Sequence, residues 1–243
     1  MAQNYKQNSK DKPVDEVSIK ESWNPKTEIG RKVKEGIITD IDVILEEGDQ
    51  IMETEIVDVL LQNAESDLLL IGQSKGKFGG GARRVFRQTQ KKTKEGNKPS
   101  FATYAVIGDK NGHIGVGYGK ARETIPAREK SLRAAKLGLI KVRRGSGSWD
   151  SSVAEPHSIP FAVEGKCGSV VVKLMPAPKG TGLVCQSEIQ KILKLAGIED
   201  IWSRTSGMTK SRINLIKATV EALKQLKQMK IQPKHVDEVK IFE

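Results

Sequence analysis

The chain has 243 residues, 37% hydrophobic and 29% charged, and a formal net charge of +11. It contains no run of about 18 apolar residues, which excludes a membrane-spanning helix, and its opening Met-Ala-Gln-Asn-Tyr-Lys has no apolar signal core. Two cysteines, Cys167 and Cys185, exclude a disulfide framework and lack metal-ligand spacing, so they read as packing residues of a reduced, intracellular protein.

The charge is unevenly spread. Residues 75–144 hold 19 Lys and Arg against 4 Asp and Glu. Residues 1–74 hold 8 against 16, and residues 145–243 hold 14 against 10. Folding gains nothing from crowding like charges, so such a block implies a polyanion whose counterions are released on binding.

In chain order, residues 1–22 read as a polar, disordered tail. Residues 23–74 form an acidic extension with short helices. Asp40 caps a helix through Leu45, stopped by Gly48. A second piece from Glu53 to Leu61 places Ile56, Val59 and Leu60 on one side. The run Leu68 to Ile71 suits a buried strand or a buried helix segment, and length alone does not decide.

Residues 75–148 form the first domain. Its basic stretch 75–99 reads as loop, because apolar periodicity is almost absent. A strand follows from Ser100 to Gly108. The turn Asp109 to Gly112 puts positive φ at Asn111 and Gly112, and the return strand runs from His113 to Gly119. Ile114, Val116 and Tyr118 fall on one face of that strand, and Gly115, Gly117 and Gly119 on the other. The bare face admits a helix or RNA, helix packing being preferred. A helix capped by Thr124, with Pro126 in its first turn, runs to Ile140 and turns Leu132, Ala135 and Leu139 inward.

After the linker beginning at Gly145, residues 149–230 form the second domain. Strands span Ser158 to Val163 and Ser169 to Met175. The loop Pro176 to Gly182 leads to a helix with Ile189, Ile192, Leu193 and Ala196 inside and Gly197 at its end. A short strand covers Ile198 to Trp202. The turn Thr205 to Ser211 opens a helix to Met229, buried through Ile213, Ile216, Val220, Leu223 and Leu226. Residues 231–243 form a tail. Both domains read as α+β layers, each with its own core.

Motifs for catalysis are missing. Gly119-Lys120 is followed by Ala121 where a P-loop needs Ser or Thr, and Gly115, Gly117 and Gly119 do not make a dinucleotide fingerprint. His113, His157 and His235 show no evident carboxylate or cysteine partner and read as structural or surface residues. No catalytic residue, metal ligand or cofactor is assigned. The loop Pro176 to Gly182 is a weak phosphate cradle at a helix start. Aromatic residues at 5% leave few stacking platforms, which favours shape and phosphate contact with double-stranded RNA.

The RNA-binding candidates follow the charge. Lys77, Arg83, Arg84, Arg87, Gln88, Lys91, Lys92, Lys94 and Lys98 would meet phosphates from an ordered loop. Lys120 and Arg122 hold the strand-to-helix edge, and Arg143 and Arg144 precede the linker. Lys179, Thr181, Arg204, Lys210 and Arg212 offer a second surface. Two other readings stand beside this one. One is a phosphotransferase cradling a nucleotide at Lys179 to Gly182, and the other is a free-standing RNA chaperone.

The run Phe101-Ala-Thr-Tyr-Ala-Val-Ile-Gly-Asp-Lys-Asn-Gly-His-Ile-Gly-Val-Gly-Tyr-Gly-Lys-Ala121 resembles the signature of the universal small-subunit ribosomal protein S-five family. Val142-Arg-Arg-Gly145, Gly165-Lys-Cys-Gly-Ser169, Pro176-Ala-Pro-Lys-Gly-Thr-Gly-Leu183 and Ala196-Gly-Ile198 resemble its second half. Trp23 to Gly30 and the acidic pieces after it resemble the archaeal and eukaryotic extension, and Gly119-Lys120-Ala121 looks archaeal. Glu95-Gly-Asn-Lys-Pro99 departs from the family's Gly-rich step. The resemblance implies a double-stranded-RNA-binding-like domain, an antiparallel sheet plus helix, followed by the family's own two-layer C-terminal fold. It also implies a non-enzymatic cytoplasmic ribosomal constituent near the decoding centre and the mRNA entry channel, supporting accuracy and assembly. Its partners would be small-subunit rRNA, mRNA, and the fourth, eighth and third small-subunit proteins, with no membrane.

Overall fold

A computed structural model describes residues 23–74, 81–149, 155–232, 236 and 241. The tail 1–22, Lys77 and His235 therefore lie outside the described residues, as does most of 233–243.

Three short helices build the extension: α1 (Glu28–Glu35), α2 (Ile41–Glu47) and α3 (Thr54–Leu60). The Thr27 hydroxyl caps α1 by accepting from the Gly30 amide at 3.1 Å. Asp40 stands at the N-cap of α2 without a side-chain capping bond, and Gly48 ends that helix in the left-handed region at φ 82°. At 8, 7 and 7 residues, all three are too short to stand alone in water. Trp23, Val33, Ile41, Ile44, Ile56 and Val57 instead close over Leu139 of the first domain.

The first sheet is antiparallel and contains β1 (Glu65–Leu69), β2 (Arg87–Thr93), β3 (Gly96–Gly108), β4 (His113–Ala121) and β5 (Leu139–Lys141). β1 and β2 occupy successive halves of one edge of β3, and β4 occupies the other. The segment expected as loop is thus largely a hairpin, in which Arg87 to Thr93 pairs with Gly96 to Ala102 around Lys94-Glu95. The polar sequence hid this because the ribbon projects beyond the core and has no buried face. Pro99 is tolerated there because β4 pairs only from Phe101 onward.

The tight turn places positive φ at Lys110 (66°) and Gly112 (102°), not at Asn111. Helix α4 (Thr124–Leu137) starts one residue earlier than expected, with Glu123 at the N-cap, and ends at Gly138. Leu139 and Ile140, expected as helix, pair in β5 with Gly115 and Ile114. The bare face of β4 is the seat of α4. A Cβ on Gly117 would lie 2.1 Å from the Ala135 amide nitrogen, and one on Gly119 would lie 2.2 Å from the Ala127 carbonyl oxygen.

The second half carries the sheet order β6-β7-β9-β8, from β6 (Val163–Cys167), β7 (Val170–Pro176), β8 (Leu183–Val184) and β9 (Ile201–Ser206). Its helices are α5 (Ser187–Leu195) and α6 (Arg212–Gln228). The first strand lies after Val163 rather than before it, because Ser158 pairs back with Gly145 and closes the linker. The short strand likewise begins at Ile201, since Glu199 and Asp200 turn their amides to the His157 carbonyl. In α6, Leu215, Ile216, Ala218, Thr219, Ala222, Leu223 and Leu226 are buried, while Ile213 and Val220 sit at the margin.

The two halves do not have separate cores. Leu69, Tyr104, Val106 and Ile114 from the first sheet join Val172, Leu174, Ile189, Ile192 and Leu223 of the second half in one apolar cluster. The first sheet is therefore covered by α4 on one face and by the second half on the other. Among the described residues no helix is long and apolar enough to cross a membrane.

Candidate nucleic-acid interface

Strand register decides which cations act together. Directly paired residues, and residues two apart on a strand, emerge from the same face. Arg87 pairs with Ala102, which pairs with Lys120, and Lys91 pairs with Lys98. Arg87, Lys91, Lys98 and Lys120 therefore share one face, together with Thr89 and Ser100. Tyr118 lies on it too, 46% exposed where coverage by the second half stops. Gln88 and Lys92 point to the opposite face, and Lys94 occupies the turn.

All four cations of the shared face are exposed, and none has an ion-pair partner among the described residues. Lys91 opposite Lys98 is a like-charge cross-strand pair, which costs stability unless an anion lies over it. Lys94 approaches Glu95 at 3.9 Å with both side chains exposed, a contact of little energetic weight.

The other candidates divide. Arg83 and Arg84 lie where the chain pairs back on 72–74, with the Arg84 carbonyl accepting from the Gly72 amide at 2.8 Å. Arg122, Arg204 and Lys210 are exposed. Several side chains are engaged internally. Arg143 Nη1 donates to the Met229 carbonyl at 2.9 Å, and Arg144 Nη1 to the Lys110 carbonyl at 3.1 Å. Burial lowers the Arg144 pKa, with the field of Asp109 opposing it. Lys179 bonds Glu155 at 2.6 Å, and the Thr181 hydroxyl donates to the Pro178 carbonyl at 2.8 Å. Arg212 is drawn onto Glu188 at 3.0 Å.

Two histidines correct the sequence reading, because both have carboxylate partners. His113 lies between Asp109 and Asp42, 2.6 Å from each. His157 is buried, with Nδ1 3.0 Å from Asp200 but poorly aligned for a hydrogen bond, and Nε2 3.3 Å from the Ser146 hydroxyl. All three side chains are buried, so this Ser-His-Asp set braces the linker and offers no accessible nucleophile. A partner 71 residues away is invisible to local spacing. Tyr118 was also missed as a surface group, although its alternation with Lys120 was a usable signal.

Two α+β halves and a cationic sheet face with no ion-pair partner among the described residues have the charge layout expected of a polyanion-binding protein. The model of "Ribosomal protein S5, N-terminal domain" matches residues 85–143, and that of "Ribosomal protein S5, C-terminal domain" matches residues 165–235. The chain is 51% identical to small ribosomal subunit protein uS5 of Nanoarchaeum equitans, over 88% of this chain and 91% of that protein. The uS5 proteins of Methanocaldococcus jannaschii and Methanothermobacter thermautotrophicus are 43% and 44% identical, over 92% and 88% of this chain and 96% and 92% of theirs. The chain belongs to the ribosomal protein S5 family, as a member of archaeal type.

Proposed function

We infer that the protein is a structural, non-enzymatic constituent of the small ribosomal subunit, in the cytoplasmic ribosome, and that it binds rRNA there. The observation that carries the RNA contact is the row Arg87, Lys91, Lys98 and Lys120 on one exposed sheet face, with no ion-pair partner among the described residues. Phosphates of folded RNA supply the missing anions, and the projecting ribbon supplies the reach. Lys77, Arg83, Arg84, Arg122, Arg204 and Lys210 extend the contact.

We further propose that the first domain, an antiparallel sheet with α4 across one face, works as a double-stranded-RNA-binding-like module. Family kinship supports a position near the decoding centre and the mRNA entry channel, a role in accuracy and assembly, and contact with the fourth, eighth and third small-subunit proteins. The phosphotransferase and chaperone readings gain no support from the relatives. A sucrose-gradient profile of the native protein tests the assignment. It should travel almost wholly with small subunits, and a free pool carrying no rRNA would overturn it.

A further inference from the structure

The acidic extension meets the first domain at a seam, and a histidine sits in that seam. His113 opens β4 and shares a face with its register partner Lys141. It is 8% exposed. Its Nδ1 lies 2.6 Å from Asp109 Oδ2, and its Nε2 lies 2.6 Å from Asp42 Oδ1.

An ionised carboxylate only accepts hydrogen bonds, and a neutral imidazole has one N–H and one lone pair. A neutral ring would thus set its lone pair against a carboxylate oxygen at hydrogen-bond distance. The carboxylates are themselves held ionised. Asp109 Oδ1 accepts from the Asn111 amide at 2.8 Å and the His113 amide at 3.2 Å, and Asp42 Oδ2 faces Lys141 Nζ at 3.2 Å. Only the imidazolium donates to both.

The charged groups around the ring are Asp109 from the turn, Asp42 and Glu46 from α2, Lys141 from β5, and Arg144, whose field reaches Asp109. Three carboxylates meet two fixed cations, and a protonated His113 balances the set.

We propose that His113 is a proton-operated latch: its imidazolium ties Asp42 of the extension to Asp109 of the β3–β4 turn, and loss of that proton loosens the extension from β4 and β5. Other ties remain, notably Lys136 to Asp58 at 2.6 Å and the apolar seat on Leu139, so the extension opens locally while the sheet stays folded.

Burial alone would lower the His113 pKa. The hydrogen bonds that the ring donates to Asp109 and Asp42, together with the charge of those carboxylates, outweigh it and raise the value above 6.5. A raised folded value makes the latch fully effective below 6.5 and progressively lost as pH rises through the folded value. Within that window the opening constant climbs toward about tenfold per pH unit, and outside it stays flat.

Hydrogen exchange of peptides within residues 28–60, corrected for intrinsic rate, tests this on the full chain between pH 6 and 9. Protection of the wild-type extension should fall with pH, whereas His113→Gln should be flat and K136M uniformly looser at every pH. NMR titration of the His113 ring gives the second arm: Asp42→Asn should lower its midpoint without unfolding the sheet. A neutral ring at pH 6, wild-type protection indifferent to pH, a His113→Gln profile matching wild type, or an Asp42→Asn midpoint left in place would each overturn the latch.

Discussion

Arg212 Nη1 lies 3.0 Å from Glu188 Oε1, and the pair fastens the two halves of the molecule together. Glu188 Oε2 accepts from the Leu70 amide at 2.8 Å, and Arg212 Nη1 also donates to the Leu70 carbonyl at 3.0 Å. One ion pair thereby satisfies both backbone groups of the residue after β1, from two helices of the other half. The Glu188 side chain is only 1% exposed, so its oxygens find their partners within the protein, in that arginine and the Leu70 amide.

Arg212→Met should therefore act on stability rather than on RNA. Removing one partner of a buried pair costs about 3–5 kcal/mol, because the other charge is left uncompensated. For a chain of this size that corresponds to a melting midpoint lower by on the order of 10 °C. Calorimetry at neutral pH reads the first quantity, and the salt dependence of rRNA-fragment affinity reads the second. A variant that melts like wild type but binds RNA more weakly would return Arg212 to the RNA surface.

The two faces of the ribbon should behave differently. Each lost phosphate contact lowers the slope of log affinity against log salt by roughly one. Lys91→Gln, Lys98→Gln and Lys120→Gln lie on the shared face, so combining them should flatten the slope by about three. Lys92→Gln removes the same charge from the opposite face and should leave the slope nearly intact. Equal effects from Lys92 and Lys91 would mean that register does not organise the contact.

These contrasts show which parts of the fold were legible. The alternation of Ile114, Val116 and Tyr118 with three glycines announced a strand with one bare face, and α4 occupies that face. The helical stripe through Ile189, Ile192 and Leu193 was equally plain, because an apolar face must be buried somewhere. The hairpin from Arg87 was not legible. Both of its faces are solvated, so hydrophobic periodicity has nothing to report. The shared core was hidden for a related reason: Tyr104 and Leu174 are each apolar in their own strand, and no local pattern says that they meet. In the interface, charge content was readable from the chain, but which cations are free was not. Arg87 and Arg212 look alike in sequence, yet one faces solvent and the other is spent on Glu188.

Gly117→Ala probes the seat of α4. The added carbon would come within 2.1 Å of the Ala135 amide nitrogen and 2.3 Å of the Ser131 carbonyl oxygen. Both belong to helix backbone, which cannot swing aside as a side chain would. Overpacking of this kind costs about 1–3 kcal/mol and sometimes more. The variant should show a lower denaturant midpoint and faster exchange of the α4 amides. Wild-type stability would show that α4 has room to lift.

Acid should release the extension from its other end. Glu53 accepts hydrogen bonds from Trp23 Nε1 at 2.8 Å, the Lys26 amide at 2.8 Å and the Thr27 amide at 2.6 Å. Desolvation pushes its pKa up, but the donors from Thr27, Lys26 and Trp23 outweigh that and hold it below the ordinary 4.5. A depressed carboxylate stabilises the docked state fully above its unfolded value, and that contribution fades as pH falls through the folded value. Trp23, 7% exposed when docked, reports the event by a red shift in emission, read in a W149F/W202F background. The shift should begin only below about pH 4.5. In Glu53→Gln the amide oxygen can still accept from the Lys26 and Thr27 amides, but the NH2 then faces the Trp23 Nε1–H, donor against donor, so Trp23 should already be partly released at neutral pH and its emission indifferent to acid in this range. An unchanged acid midpoint in that variant would assign the transition to another carboxylate, Asp58 against Lys136 being the next to test.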